Sequence, residues 1–365
     1  PPPPPPFFFS TPTPPPQMLR SLVGSEMCIR DSFYSCSVGS NKEKVNEIKQ
    51  EVNVYTHRHY APDKELFARF EKEQNIKVNV INASADELIL KMENEGSQSP
   101  ADVLITVDAG RLQRAKEKDL LQSINSELLM NNVPDHLRDV DGYWFGLTKR
   151  SRVIVYSKNR VNQDQLSTYE ALTEDKWLGK ILIRSSGNIY NQSLMASMIA
   201  NIGEEAATLW AAGILKNMAR PPKGSDRDQM KAVAAGMGDL AIVNTYYVGK
   251  LLTSPDSLER VVGQQMGIFF PNQEGRGTHI NVSGAGVAKY APNKSNAIKF
   301  IEFLSSAAAQ ETFSSANFEY PVNPNAKISP LLQSWGTFKE DNLSLSSLGA
   351  LNKSAVLLFD RVGWK

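Results

Sequence analysis

Tyr246 and Tyr247 are adjacent residues whose hydroxyls could bind a metal ion or hydrogen-bond a small ligand. They follow residues 240–243, an apolar run with the length and β-branched content of a buried parallel strand. In an α/β sheet, the turn after such a strand is where ligands bind. Tyrosine also packs its ring and satisfies its hydroxyl in ordinary cores, so the pair alone favours a structural role.

Two other predicted strands end in residues of the same kind. The segment from His57 to Tyr60 follows the first strand, and Tyr190 lies in the turn after a strand at residues 181–184. Because the carboxyl ends of parallel strands share one edge of a sheet, these groups can converge on one cleft. Four phenols and an imidazole would then face each other between two lobes.

A ligand for this set must favour phenolate oxygens. Free tyrosine has a pKa of about 10, so phenolates form at neutral pH only where a strong cation replaces the proton. Zinc prefers Cys and His, while calcium and magnesium prefer carboxylates and carbonyls, and the three segments show neither pattern. Ferric iron is hard and highly charged, so several phenolates suit it. The chemistry therefore favours Fe(III).

The elements that would position these residues are predicted by periodicity. In the first half of the chain, the predicted strands cover residues 52–55, 76–81 and 101–106. Ser84 and Glu87 form a capping box for one intervening helix, and Asp108 can cap the next. Since parallel strands need crossover connections, this β-α-β-α-β order predicts a parallel sheet covered by helices.

The second half repeats this order after two extended segments at residues 143–147 and 152–156, which we expect to be bridging strands separated at residues 148–151. Helices are predicted at 192–202 and 204–218, and the chain from residue 324 is weakly patterned. The sequence therefore predicts two α/β lobes joined by extended crossovers.

Composition limits the choice of partner. The chain has 365 residues, which suggests about two domains, and 40 Lys plus Arg against 39 Asp plus Glu give a net charge of +1. This balance does not favour nucleic acid as a partner. No apolar run reaches the roughly 18 residues that a membrane-spanning helix needs.

Residues 1–50 are predicted to be a disordered or artefactual leader and linker. The start is rich in proline and phenylalanine, and residues 21–32 resemble translated sequencing-adapter read-through. Both cysteines, Cys28 and Cys36, lie here, so we expect no disulfide framework or cysteine metal site in the folded part. Cys36 is either the lipidated residue of a bacterial lipoprotein signal or a chance cysteine in a tail.

The segments at residues 52–60, 183–194 and 238–251 resemble the three ligand-bearing motifs of the ferric-iron-binding proteins of bacterial ABC importers, above all the cyanobacterial members. The similarity runs from about Val52 to Pro324 and implies a type II periplasmic binding protein fold, α/β and two-lobed, with hinge strands and a central cleft. The iron ligands that it implies are His59, Tyr60, Tyr190, Tyr246 and Tyr247. Some relatives bind iron through the four tyrosines without a histidine.

The resemblance also implies residues that orient the ligands or hold an anion, namely Arg152, Ser186, Gly187 and Asn244. The alternative for Arg152 is an exposed surface charge. His57, His136 and His279 lack a partner pattern and are expected to be surface or packing histidines.

We therefore predict a periplasmic, monomeric solute-binding protein that captures Fe(III) and delivers it to an inner-membrane ABC permease. Lobe one is expected to comprise residues 51–147 and 276–323, and lobe two residues 148–275 and 324–365. One alternative is a type II binding protein for a polyamine, an oxyanion or a sugar. Another is an enzyme on this scaffold, although the common catalytic motifs are missing from the sequence.

Overall fold

The computed structural model describes residues 50–365. Apart from residue 50, the predicted leader with Cys28 and Cys36 lies outside the described part. Among the residues that are described, no helix has the length and apolarity needed to cross a membrane.

Ten strands and thirteen α-helices alternate along the described chain. The strands are β1 (Glu51–Thr56), β2 (Lys77–Asn82), β3 (Val103–Val107), β4 (Leu121–Gln122), β5 (Phe145–Ser157), β6 (Ile181–Leu182), β7 (Leu240–Asn244), β8 (Met266–Phe269), β9 (Ile280–Ala288) and β10 (Tyr320–Pro321). The helices are α1 (Ala61–Gln74), α2 (Ala85–Glu95), α3 (Ala109–Glu117), α4 (Glu127–Asn132), α5 (Ile189–Asn217), α6 (Asp226–Ala234), α7 (Thr245–Leu252), α8 (Ser257–Gln265), α9 (Lys294–Ser305), α10 (Ala307–Asn317), α11 (Pro330–Gln333), α12 (Ser346–Ala350) and α13 (Asn352–Val362).

The strands follow the order β2-β1-β3-β9-β5-β7-β6, with β4, β8 and β10 paired at the sides. β1 pairs in parallel with β2 and β3, as the alternation of strands and helices predicts. β6 and β7 form a second parallel pair. The two-lobed α/β prediction is confirmed, and the two parallel groups lie on either side of β9 and β5 in the strand order.

β5 joins the two groups of strands. Its first half pairs with β9 and β10, and its second half pairs with β7 and β8. The predicted break at residues 148–151 is wrong, because the strand is continuous there. These polar residues stay in the sheet because the fold supplies buried partners: the Thr148 hydroxyl donates to Glu319 at 3.0 Å, and Arg150 bonds Ser283 at 3.3 Å.

The helix boundaries follow local capping chemistry. The Ser84 hydroxyl accepts from the Glu87 amide while the Glu87 carboxylate accepts from the Ser84 amide, which confirms the capping box. Asp108 caps α3 as predicted. The two predicted helices of the second half form α5, which is interrupted at Gly203. The φ of Gly203 is 81°, a value that glycine adopts without steric cost.

The C-terminal residues form helices that the weak sequence pattern did not predict. α13 packs on α5, and the Trp364 indole donates to the Arg184 carbonyl at 3.3 Å. α12 contacts both α3 and α5. This segment therefore touches elements of both lobes.

Candidate metal centre

Tyr246 and Tyr247 open α7 directly after β7. All five residues of β7 are buried, which fixes the point at which the helix starts. The Tyr246 side chain is almost fully buried, with 2% exposed, and its ring centroid lies 4.2 Å from that of Tyr247. Burial, together with the neighbouring phenols, raises the pKa of Tyr246 well above its ordinary value. The hydroxyls are therefore protonated at neutral pH unless a cation is bound.

Tyr190 lies in the first turn of α5 because the Asn188 side chain caps that helix and accepts from the Tyr190 amide at 3.1 Å. The Tyr190 and Tyr246 hydroxyl oxygens are 3.2 Å apart. Two phenols separated by 56 residues in sequence thus meet at the ends of two strands. The predicted convergence of these segments is observed.

Tyr60 stands at the start of α1, where its amide donates to Asp63 at 3.2 Å. Burial raises the pKa of Tyr60 to about 12, and Glu319 and Tyr190 add to this effect. The ammonium of Lys250, on α7, lies 3.7 Å from the Tyr60 ring centroid and 5.2 Å from that of Tyr246. Tyr60 of the first lobe and Tyr246 of the second therefore share one cleft.

His59 is exposed beside Tyr60, and the two ring centroids are 5.2 Å apart. Its Nδ1 lies 3.4 Å from the His57 carbonyl oxygen. The imidazole is therefore more exposed to solvent than the neighbouring phenol of Tyr60.

His57 and His279 have the environments of packing residues. The His57 Nδ1 accepts from the Val107 amide at 3.3 Å, and burial lowers its pKa to about 3. His279 is also buried, and burial lowers its pKa to about 3. His136 lies 3.9 Å from Glu340, away from the phenols.

Three guanidinium groups surround the Tyr190 ring. The central carbon lies 5.6 Å from the ring centroid for Arg150, 6.0 Å for Arg152 and 5.6 Å for Arg184. Positive charges over a ring face are held by its quadrupole, and they also favour a negative phenolate nearby. Asp226 pairs with Arg152 at 2.8 Å and with Arg184 at 3.6 Å, so this buried carboxylate balances part of the positive charge.

Arg152 is buried, so the alternative of an exposed surface charge is wrong. Its guanidinium donates to Asp226 at 2.8 Å, to Asn191 at 2.7 Å and to Asn244 at 3.3 Å. These partners come from α6, α5 and the end of β7. Arg152 thereby ties together the elements that carry the phenols of the second lobe.

The other predicted orienting residues lie near the ligand segments. The Asn244 backbone amide donates to the Asp226 carboxylate at 3.0 Å, and the Asn244 side-chain oxygen accepts from Arg152. Ser186 and Gly187 form the turn before α5, and the Ser186 carbonyl accepts from Gln192 at 3.1 Å. Their contact with a bound ligand stays a prediction.

Arg58 is a residue of the site that sequence reasoning did not single out. It lies beneath Tyr60, 5.2 Å from the ring centroid, and donates to Asp63, Glu319 and Ser283. Burial alone would raise the pKa of Glu319, but the Arg58 charge lowers it to about 2. The signal in the sequence was weak, because two of these partners are more than 200 residues away.

In the part of the chain that the structure describes, carboxylates and imidazoles form no alternative metal site. Within residues 50–365, no group of three or more His, Cys, Asp or Glu side chains is placed to hold a metal ion. The phenols of Tyr60, Tyr190, Tyr246 and Tyr247 are thus the oxygen donors that converge in the described part of the chain.

A two-lobed α/β scaffold with polar groups converging at strand ends is an arrangement in which ligands bind. The chain belongs to the family described as bacterial extracellular solute-binding protein, whose sequence model matches residues 65–340.

Similar proteins narrow this class. The chain is 50% identical over 317 residues to iron uptake protein A1 of Synechocystis sp., covering 87% of this chain and 88% of that protein. It is 47% identical over 316 residues to iron uptake protein A2 of the same organism, covering 86% and 90%.

Solved structures agree with these relatives. A Trichodesmium IdiA (FutA) structure in complex with iron and citrate has a TM-score of 0.84 and 51% identity, covering 86% of this chain and all (100%) of that one. The ferric binding protein from Campylobacter jejuni has a TM-score of 0.82 and 42% identity, with the same coverage. The predicted type II fold and the resemblance to ferric-iron-binding proteins are confirmed.

Proposed function

We propose that the protein captures Fe(III) between its lobes through tyrosine phenolates and delivers it to an inner-membrane ABC permease. The observation that supports this most is the 3.2 Å separation between the Tyr190 and Tyr246 hydroxyl oxygens. Two ionised phenols at that distance repel each other, whereas a hard trivalent cation between them offsets both charges. Iron loading must therefore release protons from the phenols.

The proposed ligands are Tyr60 and His59 from lobe one and Tyr190, Tyr246 and Tyr247 from lobe two. In lobe two the Tyr246 phenol is buried and those of Tyr190 and Tyr247 are half-buried, and iron would land first on the face that they form. Closure would then bring Tyr60 onto the ion from the opposite side. The free energy that drives closure is the additional affinity of the closed state for iron.

Cationic side chains lie beside the phenols that we propose as ligands. Arg150, Arg152 and Arg184 lie around Tyr190, and Lys250 covers Tyr60. Burial lowers the pKa of Lys250 to about 8, so it remains largely charged at neutral pH. We propose that Arg152 and Asn244 orient the second-lobe ligands, and that Ser186 and Gly187 support the Tyr190 turn or an accompanying anion.

The proposed location is the periplasm, and the working form a monomer. A relative from Serratia marcescens that is 27% identical over 287 residues is named an Fe(3+)-binding periplasmic protein.

The lobe boundaries of 51–147 with 276–323, and of 148–275 with 324–365, are part of this proposal. The proposal also includes a lipid anchor at Cys36, a residue that lies outside the described part of the chain. We propose a binding function without catalysis.

Tyr247→Phe tests the proposal because it removes one oxygen and keeps the ring that stacks on Tyr246. We expect ferric affinity to fall by about a hundredfold or more, since even residues that merely support metal ligands contribute ten- to hundredfold. Competition with a ferric chelator would measure it. The control is Tyr290→Phe, whose ring is 49% exposed. Equal affinity in the parent and Tyr247→Phe would favour the alternative of a binding protein for another small solute.

A further inference from the structure

Asp108 occupies an unusual position between β3 and α3. Its φ of 84° lies in a region that residues other than glycine rarely adopt, and its side chain is fully buried. The carboxylate caps α3 by accepting from the Gly110 amide at 2.9 Å. Strained backbone of this kind persists where surrounding contacts determine it, often at functional sites.

The same carboxylate accepts hydrogen bonds from two other elements. The Ser193 hydroxyl on α5 lies 2.7 Å from both carboxylate oxygens, and the Asn281 amide on β9 donates at 2.9 Å. The guanidinium of Arg150 stands 4.0 Å away. Hydrogen bonds to a buried charge are stronger than those between neutral groups.

The bond between Asp108 and Ser193 spans the two lobes. Asp108 follows β3, which pairs with β1 and β9, whereas Ser193 lies on the helix that follows β6 of the second lobe. Ser193 is also three residues after Tyr190, and residues at that spacing are neighbours on a helix surface. Fixing Ser193 against lobe one therefore fixes the position of Tyr190 relative to lobe one.

A tight backbone contact accompanies this bond. Gly349 of α12 packs on α3 so closely that an added Cβ would lie 2.4 Å from the Gln113 Cβ and 3.5 Å from the Gly110 Cα. α3 is thus covered at its start by both α5 and α12. Residues of α5 and α12 therefore pack around Asp108.

We propose that Asp108 and Ser193 are positioning residues that latch the lobes in the closed state and hold Tyr190 opposite Tyr60. In an open state the two side chains separate and are hydrated, so their bond contributes only to closure. This inference rests on the proposed function, since the groups that the latch brings together are the proposed ligands.

Ser193→Ala in the full chain tests the latch, with loss of iron to excess chelator as the readout. We expect iron to be released about ten- to hundredfold faster, because a hydrogen bond to a charged group is lost only from the closed state. The phenolate-to-iron absorption band should keep its position, because the ligands are unchanged. Ser193→Thr keeps the hydroxyl and should release iron at nearly the parent rate.

Ser197→Ala is the matched control. Ser197 is one turn further along α5, is equally buried and donates to the Asp341 carboxylate at 3.3 Å. Its release rate should stay within about twofold of the parent. If circular dichroism shows that Ser193→Ala does not fold, Asp108→Asn takes its place as the test variant, because it weakens the same hydrogen bond. The latch is overturned if Ser193→Ala releases iron at the parent rate. The same holds for Asp108→Asn if that variant is used instead.

The two proposals fail in different ways. If the parent shows no absorption band with ferric ion, the proposed function fails, and the latch fails with it because no iron drives closure. If the parent shows the band but the variant that carries the test releases iron at the parent rate, the proposed function stands and the latch alone is overturned.

Discussion

Arg58→Met removes the buried guanidinium that joins the Tyr60 loop to the rest of lobe one. Arg58 donates to Asp63 at 2.9 Å, to Ser283 at 2.8 Å and to Glu319 at 3.0 Å. Losing one partner of a buried ion pair costs about 3–5 kcal/mol, because the remaining charge is left uncompensated. We expect the free energy of unfolding at pH 7 to fall by about this amount in guanidinium chloride denaturation.

The size of this loss should depend on pH. The folded-state pKa of Glu319 is about 2, below its ordinary 4.5, so its stabilising contribution is present above about pH 4.5 and is lost as the pH falls toward 2. The difference in unfolding free energy between parent and variant should therefore shrink over this interval.

Arg69→Met is the control, because Arg69 forms a 2.7 Å ion pair with Glu73 on α1 while both side chains are at least 40% exposed. Exposed pairs of this kind contribute about 0.3–0.5 kcal/mol. The account of Arg58 is refuted if Arg58→Met unfolds at the same denaturant concentration as the parent, or if its loss of stability is independent of pH.

The remaining predictions concern iron. Acidification should weaken ferric binding by about tenfold per pH unit for each phenol that is deprotonated on binding, because the pKa values of Tyr60, Tyr246 and Tyr247 are raised. At least two such protons, and hence about a hundredfold per unit, should appear in chelator competition between pH 8 and about pH 6. Reduction should also release iron, because Fe(II) has a lower charge and favours phenolate less. Dithionite added with a ferrous chelator measures this, and retention of the reduced ion would contradict it.

The sequence was sufficient to predict how the site is assembled. The strand ends before Tyr190 and Tyr246 follow from short apolar runs, and the topology of parallel strands brings such ends together. The cap at Ser84 and the break at Gly203 depend on neighbouring residues, so local chemistry determines them. These features need no knowledge of distant contacts.

The features that sequence reasoning missed depend on long-range partners. The polar residues within β5 have the sequence pattern of a turn. Their hydrogen-bonding groups are satisfied inside the sheet by the buried Glu319 and Ser283, which are distant in sequence. Arg58 carries a charge that suggests a surface position, and the carboxylate of Glu319, distant in sequence, helps to make its burial favourable. The latch at Asp108 is of the same kind, since Ser193 is 85 residues away.

The most direct test of the central claim is the visible absorption spectrum of the full chain titrated with ferric citrate, repeated after Tyr246 and Tyr247 are both changed to Phe. Tyrosine ligation predicts a phenolate-to-iron charge-transfer band in the parent that saturates at one iron per protein and is lost in the double variant. A parent spectrum without that band, or a band that survives the double change, would contradict ferric binding by these phenols.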